Sequence, residues 1–155
     1  AARRRTGHEL THAHLLLRHQ GGAAGPGSGD AASRLLVLFS EVSDRDGLRA
    51  GLAELWTSTT QGESSVSTKI LLQVMGVASV QRGPFAEFAT SAIHTLIDAV
   101  ADAMIRCGIS APDARENATV AVSGLRGILL DRLVTGDVAR TDRSASRLIE
   151  QVVAE

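Results

Sequence analysis

Apolar residues recur at spacings of three and four along nearly the whole chain, and no alternating run is long enough to suggest a strand. At the start, Thr6 stands three residues before Glu9, a capping-box spacing, and Leu10, Ala13 and Leu17 follow. This predicts a helix over residues 1–20. Residues 21–30, GGAAGPGSGD, predict a flexible loop, because glycine and Pro26 break helical propagation. The core then occupies residues 31–155. It opens with a short apolar segment from Leu35 to Val42. Ser43 and Asp46 repeat the capping spacing ahead of a helix carrying Leu48, Leu52, Leu55 and Trp56, which Gly62 closes. A helix over about 64–81 has Ile70, Leu71, Val74, Val77 and Ala78 on one side and Leu72 and Met75 on another. Pro84 suits the first turn of the next helix, about 84–107, with the stripe Phe85, Phe88, Ala92, Leu96 and Val100. Ser110 and Asp113 introduce a helix over about 112–135 that is apolar on more than one face. Ala118, Val122, Leu125, Leu129 and Leu133 form one stripe, and Val120, Gly124, Ile128 and Val134 lie elsewhere. The last helix, about 141–153, carries Ala145, Leu148, Ile149 and Val152. The pattern predicts an all-α domain of six or seven helices, the last two paired antiparallel across Thr135, Gly136 and Asp137.

Composition narrows the function. The 155 residues carry 16 Lys plus Arg against 17 Asp plus Glu, a formal charge of −1, so the surface as a whole does not favour DNA or anionic lipid. Cys107 is the single cysteine, which excludes an internal disulfide. With no secretory signal and no apolar run approaching a membrane span, the expected location is cytoplasmic, with no membrane partner. Tyrosine is absent and the aromatics are Trp56, Phe39, Phe85 and Phe88, too few for base-stacking platforms.

The sharpest chemical pattern is His8-Glu9-Leu10-Thr11-His12, of the form H-E-x-x-H. Two histidines four apart on a helix reach one zinc, and the glutamate between them activates a bound water. A catalytic site needs a third ligand, however. The position for a nearby third histidine holds Arg18, and the glycine that spacing requires is Leu15. Glu9 also has a structural role in the cap. The expectation is therefore no catalytic metal, with incidental metal binding by His8, His12 and His19 left open. Cys107 sits at a helix C-terminus, where the dipole disfavours a thiolate, and reads as an apolar filler. Gly124 and Gly127, inside a helix, each cost about 1 kcal/mol relative to alanine, and close helix approach would account for them.

The stretch Ala121–Arg143, AVSGLRGILLDRLVTGDVARTDR, resembles the last two long helices of tetracycline-repressor (TetR) family regulators. The resemblance lies in Arg126-Gly127-Ile128-Leu129-Leu130-Asp131, then Thr135-Gly136-Asp137 and a basic, polar start to the final helix. Leu55 and Trp56, Met75-Gly76-Val77-Ala78, and Phe85 and Phe88 extend it over roughly residues 34–153. The resemblance implies a ligand-sensing and dimerisation domain, most often of a repressor, that is not an enzyme and needs no cofactor. DNA would be reached only through an N-terminal helix-turn-helix reader, for which this chain offers no segment; residues 1–20 would be the connecting helix. A hydrophobic or amphipathic effector is expected among Trp56, Leu72, Met75, Phe88, Ile97 and Met104, with Gln73 and His94 as polar contacts. A homodimer is expected through a four-helix bundle of residues about 112–135 and 141–153. Its contacts are expected at Val120, Gly124, Gly127, Ile128, Ala145, Leu148, Ile149 and Val152. The alternatives are a zinc-dependent hydrolase built on the opening motif and a helical interaction module without a small ligand.

Overall fold

The computed structural model describes residues 28–62, 64–81 and 83–154. The H-E-x-x-H motif, His19 and the expected helix over 1–20 lie outside the described residues. Among those described, six helices and no strand are found: α1 (Ser28–Glu41), α2 (Arg45–Thr60), α3 (Ser64–Val80), α4 (Pro84–Arg106), α5 (Ala111–Thr135) and α6 (Val138–Ala154). The domain is all-α. α1 starts inside the stretch expected to be loop, so residues 28–30 are helical.

The helix ends follow local chemistry. α2 is capped by Asp44, whose carboxylate accepts from the Gly47 N–H at 2.7 Å, one residue later than the expected Ser43. Pro84 occupies the first turn of α4. Ser110 takes the N-cap position of α5, but its hydroxyl donates to the Asp113 carboxylate rather than capping backbone. Gly136 ends α5 in the left-handed conformation at φ 70°, and its N–H donates to the Arg132 carbonyl at 2.9 Å. α6 begins three residues before the expected position because the Asp137 carboxylate accepts the Arg140 N–H at 3.1 Å. Two arginines close other helix ends. Arg106 donates to the Phe39 carbonyl in the last turn of α1 and to the Val42 carbonyl just beyond it, and Arg45 donates to those of Val153 and Ala154 in α6.

Packing centres on α4, which contacts α1, α3 and α5, while α5 pairs with α6 and α6 packs on α2. Phe39, Leu48, Leu52, Val100, Met104 and Val153 are fully enclosed and join α1, α2, α4 and α6 into one core. α4 has the length and apolar composition to cross a membrane, more than the sequence reading credited to any segment. In this fold its Val100, Ala103 and Met104 are covered by neighbouring helices. At Gly124 the close approach of α5 to α6 is visible: an added Cβ would meet Leu148 Cδ2 at 2.5 Å. A Cβ at Gly127 would meet nothing within 4 Å.

α3 differs from its neighbours. None of its described side chains is buried, and Val66, Ile70, Val77 and Val80 are exposed. Ile70 and Val77 belong to the stripe expected on one side. The side turned toward the other helices carries Leu71 of that same stripe together with Leu72 and Met75 from the other side.

Candidate functional site

The helices leave a cavity of about 360 Å³, within the range of small-molecule pockets. α3 closes one side with Thr68, Leu71, Leu72 and Met75. α4 contributes Ala92, Thr95 and Leu96, at the one-turn spacing that places side chains on one helix face. α5 contributes Val122, Leu125, Arg126 and Leu129 at the same kind of spacing. Leu35 and Leu36 of α1 and Leu55, Ser58 and Thr59 of α2 complete the walls. The lining is mostly aliphatic, and polar groups are few.

Those polar groups are the hydroxyls of Ser58, Thr59, Ser67, Thr68 and Thr95 and the guanidinium of Arg126. The hydroxyls of Ser58, Thr59 and Thr95 each donate to a carbonyl one turn back in their own helix, at 2.9–3.1 Å. Their hydrogens are engaged, and only oxygen lone pairs face the space. Arg126 is the one charged residue in the lining and is partly buried. Burial lowers its guanidinium pKa from the ordinary arginine value, and no carboxylate offsets that desolvation.

Of the residues expected to hold an effector, Leu72 and Met75 line the cavity. The others are placed elsewhere. Met104 and Ile97 are buried in the core, where α4 turns them toward other helices. Phe88 is 59% exposed, and Gln73 and His94 are exposed; none of the three borders the cavity. Trp56 faces the terminal hairpin. Its Nε1–H donates to Asp142 at 2.9 Å, Arg132 lies over its ring at 5.7 Å from the centroid, and Arg132 also pairs with Asp142. Arg126 and Thr95 were not among the expected contacts. The signal for Arg126 was its position four residues after Val122 and three before Leu129, which puts a charge at the edge of an apolar stripe.

The residues expected at a dimer contact also divide. Ala145, Ile149 and Val152 are buried in the chain's own core, so they are filled positions rather than contact surface. Ile128 and Leu148 pack partly against that core, and Gly124 faces Leu148 within the chain. Val120 and Gly127 are exposed. With Leu130 and Val134 they run along the outer side of α5, away from the buried Val122, Leu125 and Leu129.

The terminal hairpin is locked electrostatically. Arg140 holds both oxygens of Asp131 at 2.6 and 2.8 Å and reaches Asp137 at 3.1 Å. Asp131 and Asp137 are thereby the two carboxylates that fix the turn between α5 and α6. Cys107 is half-buried against the core, and burial pushes its thiol pKa up. Among the described residues no group of three or more His, Cys, Asp or Glu is placed to hold a metal ion.

No family model, curated protein or solved structure matches this chain.

Proposed function

We propose that this chain is the ligand-sensing and dimerisation domain of a TetR-like transcriptional regulator, most often a repressor in that family, acting in the cytoplasm. The observation that carries the reading is the aliphatic cavity of about 360 Å³ bordered by five helices, one of which, α5, also forms the terminal hairpin. A molecule filling that space touches α3 and α5 at once and favours whichever helix arrangement fits it best. α5 carries the apolar outer stripe Val120–Gly127–Leu130–Val134, the surface proposed for a second copy. Effector and partner then act on opposite sides of one helix. Joined to a DNA reader, such a dimer would convert a shift of α5 into a change in reader spacing. The domain itself is proposed to catalyse nothing.

The test is a thermal-shift screen of amphipathic and apolar metabolites on the full chain, repeated on Leu72→Glu and Leu96→Glu, which place negative charge in the cavity. At a ligand concentration of 100 Kd, binding stabilises the fold by about 2.7 kcal/mol. Hits are expected with the wild-type chain and lost in both variants. Hits that shift the variants as much as the wild type would remove the cavity from the proposal.

A further inference from the structure

Most other arginines among the described residues hold a partner, and Arg143 and Arg147, which make no ion pair there, are exposed to solvent. Arg49, Arg115, Arg132 and Arg140 each meet a carboxylate, and Arg45 and Arg106 hold helix-terminal carbonyls. Arg126 differs from these. It is partly buried, borders the cavity, and meets no hydrogen-bond acceptor or carboxylate among the described residues. No acidic side chain lines the same space. A guanidinium has five donors and no acceptor, stays charged at any accessible pH, and matches the two oxygens of a carboxylate in a planar fork.

We infer that the cavity takes an amphipathic carboxylic acid, its ionised head on Arg126 and its apolar part against Leu71, Leu72, Met75 and Leu96. The inference rests on the proposed sensing role and narrows it to one ligand class. The other polar groups agree with it. Ser58, Thr59 and Thr95 have given their hydrogens to backbone carbonyls, and the remaining hydroxyls of the lining, Ser67 and Thr68, are uncharged, so Arg126 is the one charged donor an anion meets there. A cationic head meets like charge at the one ionised group present. A wholly apolar ligand covers the guanidinium and leaves its donors unmatched, which is unfavourable. The lowered guanidinium pKa is the signature of the same unfulfilled desolvation.

The experiment compares decanoate, 1-decanol and decylamine, three probes sharing one tail, by calorimetric titration of the full chain below their aggregation concentrations. Decanoate is expected to bind at least tenfold more tightly than decanol, a difference of about 1.4 kcal/mol, with decylamine weakest. Arg126→Met is expected to bring decanoate down to decanol and leave decanol unweakened. Arg126→Lys keeps the charge without the fork and should retain part of the preference. A second measurement needs no variant. Decanoate carrying a ¹³C carboxyl should stay ionised when bound to the wild-type chain at a pH where the free acid has begun to protonate. Equal binding of decanoate and decanol, or a bound acid that protonates more readily than the free one, overturns the carboxylate and leaves the cavity standing. Binding of none of the three probes overturns the carboxylate and the sensing role together.

Discussion

Arg140 shows what a single side chain does at the turn between the last two helices. Asp131 and Asp137 both lie below the ordinary carboxylate range, Asp131 chiefly through the Arg140 side chain and Asp137 chiefly through the Arg140 N–H. Their charged forms are favoured by folding, so what they add is present above about pH 3.9, the unfolded value, and is lost as the pH falls through their lowered pKa values. Both groups are solvent-exposed, so the effect on stability is modest. Carboxyl-detected NMR titration should find both residues ionised below pH 3.9, and Arg140→Ala should raise Asp131 and Asp137 toward that value, Asp131 retaining the lowering from the Thr135 hydroxyl. The two glycines of α5 give a second contrast at this scale. Within the single chain, tested in the Leu130→Glu, Val134→Glu background that is expected to be monomeric, Gly127→Ala adds a methyl group where nothing lies within 4 Å and removes backbone freedom from the unfolded chain, so it should stabilise by about 0.5–1 kcal/mol. Gly124→Val must displace Leu148 and should destabilise by about 1–3 kcal/mol. Urea unfolding of the two variants checks both signs.

Among the elements, α3 is the one whose hold on the rest is weakest. It borders the cavity with Leu71, Leu72 and Met75, yet none of its described side chains is buried, whereas α4 and α5 each carry several that are. Helices with few buried apolar contacts open at lower free energy than the core. Amide exchange in α3 should therefore be faster than in α4 or α5, and a ligand bound in the cavity should slow α3 most. Equal protection of the three helices without ligand would contradict this. The same helix marks where sequence reasoning stops. Helix positions and ends were legible from Pro84, Gly62, Gly136 and the apolar spacing, because these act locally. The inward face of α3 was not, because its apolar residues lie on more than one side and none is preferred until the neighbouring helices are placed. Trp56 was misassigned for a related reason. Periodicity put it on the core side of α2, but only the fold brings Asp142, 86 residues away, to its indole N–H. Arg126 looked like part of a family-like run, and its isolation from carboxylates appears only once the five helices are assembled around the cavity.

For the whole molecule the question is what covers the outer side of α5. Val120, Leu130 and Val134 are 52%, 53% and 78% exposed, and Gly127 lies between them on the same side. Fourteen rises of about 1.5 Å from Val120 to Val134 make this stripe about 21 Å long, enough for an antiparallel or crossed contact with a second α5. Gly127 at its middle lets two backbones approach, a geometry that suits a two-fold axis. The chain is accordingly expected to be a homodimer whose contact is the exposed side of α5, with α6 supporting it from behind through Ala145, Ile149 and Val152. Sedimentation equilibrium at micromolar concentration should give twice the chain mass. Leu130→Glu with Val134→Glu should give the single mass while circular dichroism stays helical, because both residues are exposed and neither supports the core. Ile149→Ala should behave differently, losing about 2–5 kcal/mol of stability, since it removes a side chain already buried within one chain. A wild-type chain that sediments as a monomer, or a double variant that still dimerises, would take the contact away from α5.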